Sequence, residues 1–176
     1  MKIARREVLG LGGGLVAALS LFWRKVWAEE VVEIKMQGRA DGSHVWFDPI
    51  GVLIKPGQMV RWINLNPGNS HTTTAYHPAN FGRPLRIPEA AKSWASDYLL
   101  PDEHFSVTFT AQGVYDYYCI PHEHAGMVGR IIVGKPEAHG GWMEGPVAGR
   151  RGLPNEALKA FPMVEEIMTN RIVRQL

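Results

Sequence analysis

Residues 29–134 predict an all-β domain of about eight short strands, folded as a Greek-key sandwich or barrel. Two patterns carry the prediction. Apolar and polar residues alternate in short runs, the period of strands with one face in a core and the other in water. Clusters of Gly, Pro, Asn and Asp separate those runs at regular intervals, where the chain must reverse. A third observation permits it: the chain has 176 residues, 45% hydrophobic and 20% charged, enough for one domain with a real core plus appendages. There is no internal repeat and no low-complexity tract.

The strands follow in order. Val32, Ile34 and Met36 alternate with Glu33, Lys35 and Gln37, and Gly38 to Gly42 makes a turn. His44 to Phe47 is a short strand that Asp48-Pro49 ends, because Pro brings no N–H to a ladder. Val52 to Ile54 precedes Lys55-Pro56-Gly57-Gln58, with Pro second and Gly third as a type II turn requires. Met59 to Leu65 is the next strand, and Asn66-Pro67-Gly68-Asn69 the next turn. Ser70 to Tyr76 is a β-branched and aromatic run, which predicts a further strand. Pro78, Pro84, Pro88 and Pro101 interrupt the region that follows, leaving room for one short helix over 88–98. His104 to Thr110 turns Phe105, Val107 and Phe109 inward; after Gln112-Gly113, Val114 to Cys119 is a strand, and Val128 to Val133 another.

Residues 1–28 read as an export signal. Lys2, Arg5 and Arg6 lie before an apolar run from Val8 to Trp23, and Val26-Trp27-Ala28 suits a peptidase cutting after Ala28. Arg5-Arg6 resembles the twin-arginine signal, with Ala4, Val8 and Gly10 departing from its full pattern. An ordinary secretory signal is the alternative. An uncleaved anchor ranks last, since the apolar run is shorter than the ~20 residues a spanning helix needs. Each reading places the domain outside the bacterial cytoplasm, and the twin-arginine route makes it periplasmic. After residue 134 the composition changes. Residues 135–152 are rich in Gly and Pro and read as a linker. Asn155 is placed to cap a short helix through Ala160, and Pro162 suits the first turn of a second. Val164, Ile167, Met168 and Ile172 share one helical face, so the tail is expected to pack on the barrel.

Charge excludes one class of function. The whole chain is formally +2, but residues 1–28 carry five of its Lys/Arg and one of its acids, so the remainder is −2. No basic stripe is left for nucleic acid.

The chemistry concentrates in one loop. Cys119 is the only cysteine, so no internal disulfide is possible. Two residues separate Cys119 from His122, and four more separate His122 from Met127. A thiolate, an imidazole and a thioether on one short loop are three donors of a His₂Cys copper site with a long axial Met. The missing imidazole must come from elsewhere, and His71 on its β-run is the candidate. Copper suits the set because thiolate favours Cu(I), imidazole serves both valences, and a distant thioether favours the reduced ion. Structural zinc prefers four strong Cys and His ligands. The bland alternative is a buried Cys beside a surface His and a core Met, but an exported free thiol so placed is open to oxidation.

Tyr118-Cys119-Ile120-Pro121-His122-Glu123-His124-Ala125-Gly126-Met127-Val128-Gly129 resembles the ligand loop of the cupredoxins, of the plastocyanin/pseudoazurin type. The resemblance covers roughly residues 30–134. It implies an eight-stranded Greek-key cupredoxin sandwich with one type 1 copper ion, Cu(I) or Cu(II), held by His71, Cys119, His122 and Met127. Thr72 stands where the family usually has Asn, whose side chain ties the two ligand loops. His124 is the competing imidazole, but it lies too close to Met127 for the matching spacing and is expected at the surface. His44, His77, His104 and His139 are expected as surface or turn residues, with His77 the one nearest His71 in sequence. Tyr117 and Tyr118 point to opposite faces, so one is expected in the core and the other near the copper or the surface.

The function this implies is single-electron transfer, with no substrate bound and a c-type cytochrome or terminal oxidase domain as partner. Pro121, Ala125, Gly126 and Met127 are expected to frame the His122 edge with an apolar patch. Copper storage, delivery or sensing is the alternative, which the seven scattered Met do not favour. Copper enzymes with paired histidines superficially similar to His122-Glu123-His124 need further His pairs and a second domain, so a carrier and not an enzyme is expected.

Overall fold

The structure, a computed structural model, describes residues 31–135 and 152–175. The expected leader and most of the expected linker lie outside the described residues. Among those described, nine strands form two sheets. They are β1 (Val32–Gly38), β2 (Val45–Asp48), β3 (Gly51–Ile54), β4 (Met59–Asn64), β5 (Thr74–Ala75), β6 (His104–Thr108), β7 (Gly113–Tyr118), β8 (Val128–Val133) and β9 (Ile172–Val173). One sheet has the order β2-β1-β4-β6 and the other β5-β7-β8-β3-β9. β1 runs parallel to β4 and β3 parallel to β8, while the remaining pairs are antiparallel.

Alternation positions the core as expected. Ile34 and Met36 of β1 and Val60 and Trp62 of β4 are buried with Tyr115 and Tyr117 of β7 and Ile131 and Val133 of β8. Cys119 and Met127 belong to the same cluster, so the loop between β7 and β8 is the end of the core and not an appendage.

The tail covers the outer face of the five-stranded sheet. Helix α1 (Asn155–Ala160) buries Ala157 with Tyr76, Tyr118 and Val128; helix α2 (Val164–Asn170) buries Ile167 with Val114 and Ile132. β8 is therefore buried along its whole length, on both faces. A buried ionic cluster fixes the tail. Asp116 accepts hydrogen bonds from Arg86 Nε and Arg130 Nε, each at 2.8 Å. Arg130 Nη1 donates to the Pro162 carbonyl at 2.7 Å, and both guanidinium carbons lie about 5 Å from the Phe161 ring centre (5.2 and 5.1 Å).

Several expectations are corrected. No helix forms over 88–98, because that stretch spends its backbone groups on the 71–75 run. Ala75 N–H donates to Trp94 O at 2.9 Å and Ser96 N–H to Thr73 O at 3.0 Å. The 70–76 run is correspondingly irregular, a two-residue strand plus isolated bridges of His71 with Leu99 and Thr74 with Ala95. Asn155 is the first residue of α1, after Pro154, and Pro162 lies ahead of α2, its carbonyl taken by Arg130. The second helix stops at Asn170, with Arg171 at a φ of 65°. Ile172 therefore leaves the helical face and pairs with Val52 as part of β9, a strand beyond the expected eight. Tyr117 and Tyr118 are both buried, because the tail seals the face on which Tyr118 would otherwise be exposed.

Candidate metal centre

The β7–β8 loop is closed by its own backbone. Tyr118 pairs with Val128, and Cys119 N–H donates to Met127 O at 3.0 Å. Between them Ile120–Ala125 forms a 3₁₀ turn with Pro121 near its start, where a missing N–H costs nothing. Gly126 ends that turn at a φ of 80°, a left-handed cap that glycine adopts without strain. Met127 N–H then returns to His122 O at 3.1 Å. Cys119, His122 and Met127 are thereby held in one small ring of hydrogen bonds. His71 arrives from the other side, its backbone bonded both ways to Leu99 at 3.1 and 2.8 Å.

The donors converge. Cys119 Sγ lies 3.6 Å from His71 Nδ1 and 3.5 Å from His122 Nδ1, and one ligand atom from each residue lies within 4.8 Å of the others. Donors bound to a single transition ion at roughly 2.0–2.3 Å sit roughly 3.3–3.8 Å apart, so the two sulfur–nitrogen separations fit one ion. Cys119, His71 and Met127 are fully buried and His122 is half-buried. Thr72 joins the two sides. Its N–H donates to Cys119 Sγ at 3.3 Å, and its hydroxyl accepts the Ile120 N–H at 2.8 Å. The shorter residue thus makes the tie between ligand loops with a hydroxyl.

Burial pushes the Cys119 thiol up to about 11, against the opposing effect of the Thr72 and His122 backbone N–H groups. Burial, and secondarily the charge of His122, draws His71 down to about 4, and burial lowers His122 as well. Without an ion the set is a protonated thiol and two neutral imidazoles. A soft-to-borderline ion that takes the thiolate is what such a set accommodates.

Residues 33–134 match the model of the copper-binding plastocyanin/azurin family. The chain belongs to this family. The chloroplast plastocyanin of Chlamydomonas reinhardtii is 36% identical over 137 residues, covering 76% of this chain and 86% of that one. The plastocyanin of Scenedesmus fuscus is 37% identical over 98 residues, 53% of this chain and 92% of its own. Among solved structures, a pseudoazurin from Sinorhizobium superposes with a TM-score of 0.55 at 26% identity, covering 74% of this chain and 89% of that one. This cupredoxin therefore has copper as its cofactor, and its fold is the expected Greek-key sandwich.

The other histidines among the described residues lie apart from the cluster. His124 is exposed, His77 Nδ1 accepts the Ala79 N–H at 3.0 Å, and His44 stacks on Trp46 at 5.1 Å between ring centres. His104 is exposed, and His139 lies outside the described residues. Two features were not read from the sequence. Glu123, between two solvent-facing histidines, is buried: it accepts the Tyr76 hydroxyl at 2.8 Å and pairs with Arg83, whose guanidinium carbon lies 5.0 Å from the Tyr118 ring centre. Asn66, read only as a turn residue, has Oδ1 3.1 Å from His71 Nε2. An Asn a few residues before the candidate His on one turn was the available signal.

Proposed function

We propose that this cupredoxin is a mononuclear type 1 copper electron carrier, exported by its leader to the periplasm, with His71, Cys119, His122 and Met127 as the copper ligands. The observation that carries the reading is the convergence of a buried thiol and two imidazoles within 4.8 Å, fixed by the chain's own hydrogen bonds. Bound copper would supply a one-electron couple. The residues supply a cage. Thr72 ties the two ligand loops together, and the Cys119–Met127 backbone bond closes the loop that bears three of the donors, whichever valence is present, so little must move on electron transfer.

His122 alone among the four ligands reaches the surface, which makes its ring the short way out for an electron. Exposed Pro121 and Ala125 flank it; Met127 is wholly buried and adds nothing to the surface, contrary to expectation. A small apolar rim suits brief docking with a redox partner of the c-type cytochrome or terminal oxidase class, at the low end of interface sizes. No helix among the described residues is long and apolar enough to cross a membrane.

The test is the optical and spin-resonance spectrum of the copper-loaded protein. An intense thiolate-to-copper band and a narrow copper hyperfine splitting are expected, and Cys119→Ala should abolish the band. A band surviving in that variant would overturn the assignment, and turnover of oxygen or nitrite would replace the carrier with an enzyme.

A further inference from the structure

His71 is buried and cannot choose its own tautomer by contact with water. Its Nδ1 faces the Cys119 sulfur at 3.6 Å, while its Nε2 faces the side-chain oxygen of Asn66 at 3.1 Å. That oxygen also accepts Asn69 Nδ2 at 2.8 Å. An amide oxygen can only accept, so the proton of a neutral His71 sits on Nε2 and the lone pair on Nδ1. We propose that Asn66 is the positioning residue of the copper site, fixing the tautomer and the ring orientation of His71 through its side-chain carbonyl. The inference rests on the reading of His71 as a copper ligand.

Asn66 is itself anchored through its backbone to Asn64. Asn66 N–H donates to Asn64 Oδ1 at 2.9 Å, and Asn64 Nδ2 donates to Asn69 O at 2.8 Å and to Leu99 O at 2.9 Å. Leu99 O is also the acceptor of the His71 N–H, so one asparagine network fixes the backbone and the ring of the same ligand. The network needs room, and β1 provides it. A Cβ built on Gly38 would lie 2.7 Å from Asn66 Oδ1 and 2.8 Å from its Cγ and Nδ2. Gly38 is thus a notch cut for the Asn66 amide, in a strand where any other residue would press on it. Outer partners that orient a ligating imidazole typically contribute 10–100-fold in metal affinity.

The experiment compares wild type with Asn66→Leu, Asn66→Asp and Gly38→Ala, by ¹⁵N NMR of the histidine rings in the metal-free and diamagnetic Cu(I) forms, by chelator competition, and by potentiometry. In the metal-free wild type, His71 should show a protonated Nε2 and a bare Nδ1. Asn66→Leu should lower copper affinity about 10–100-fold and shift or broaden the Nε2–H signal. Asn66→Asp should restore the Nε2–H and the affinity, and lower the reduction potential, because a carboxylate there stabilises the more positive ion. Gly38→Ala, which touches no ligand, should disturb the same Nε2–H signal. A wild-type ring protonated on Nδ1 would overturn the inference without recourse to any variant. So would an Asn66→Leu protein with unchanged affinity, potential and Nε2–H signal. If Asn66→Leu does not fold, the wild-type tautomer and the Asn66→Asp potential decide. The underlying ligand reading is tested separately: Cu(I) loading should move the Nδ1 resonance of His71. An Nδ1 that does not move overturns ligation even where Nε2 still responds to Asn66.

Discussion

Thr72→Val isolates the tie between the two ligand loops. Valine keeps the β-branched shape but replaces the hydroxyl that accepts the Ile120 N–H at 2.8 Å, in a residue with no exposed surface. The backbone N–H of position 72, which points at the sulfur, stays. The loss takes the acceptor from the Ile120 N–H and from Thr74 Oγ1, which donates to the same oxygen at 3.3 Å, together worth about 1–3 kcal/mol. How that loss divides is informative. In the metal-free protein the 120–125 turn can shift to let water reach the Ile120 N–H, and whatever part of the cost it escapes reappears when copper pulls the loop back. The fall in metal-free stability and the fall in copper binding energy should together come to about 1–3 kcal/mol, with each 1.4 kcal/mol assigned to copper costing tenfold in affinity. Urea denaturation of the metal-free protein gives the first part and chelator competition the second. Thr72→Ser, which keeps the oxygen, should lose less than Thr72→Val on the combined measure. A Thr72→Val protein with neither loss, or one that outperforms Thr72→Ser, would show that the hydroxyl does not hold the loops.

Asp116→Ala should cost about 3–5 kcal/mol, because it removes the carboxylate that neutralises two buried guanidiniums. For a chain of this size that is a fall in melting temperature of roughly 10 °C by circular dichroism, with Asp116→Asn falling less; a drop within a degree or two would mean that the cluster is dispensable. Copper loading of the metal-free protein at pH 7 should release about one proton per ion, since the Cys119 thiol is pushed up to about 11 while burial keeps both imidazoles neutral. Apparent affinity should accordingly rise about tenfold per pH unit between pH 7 and 9; an indicator-dye titration showing no release would mean that the thiol is already ionised.

The sandwich was legible because its strands obey a period of two wherever one face meets water. β1, β2, β4 and β6 show it directly, Ile34 and Met36 against Lys35 being the plainest case. The pattern fails in β7 and β8, which are buried on both faces, and there the tail is the cause. A sequence window on Tyr117-Tyr118 contains no trace of Ala157 or Phe161, so the burial of Tyr118 could not be read locally. The donors were legible because ligand chemistry restricts residue type: one cysteine, with His and Met at fixed offsets. Their supports were not. Asn66 carries the residue type of any turn, Glu123 looks like a solvated acid, and the 88–98 stretch reveals its extended form only through its pairing with 71–75.

The same burial separates carrying an electron from carrying an ion. A protein that hands copper to another must let the incoming ligands displace its own, one donor at a time. Here Cys119, His71 and Met127 have no exposed surface, and only the ring of His122 reaches solvent. An electron needs no more than that edge. The ion would need the Cys119–Met127 backbone bond or the Thr72 tie to open, and the loop behind them is pinned by buried Glu123 to Tyr76 and Arg83 and backed by α1 at Gly126. With the proposed ligand set, only His122 is open to ligand exchange, and that same edge suffices for outer-sphere transfer, which favours the proposed electron carrier over copper delivery.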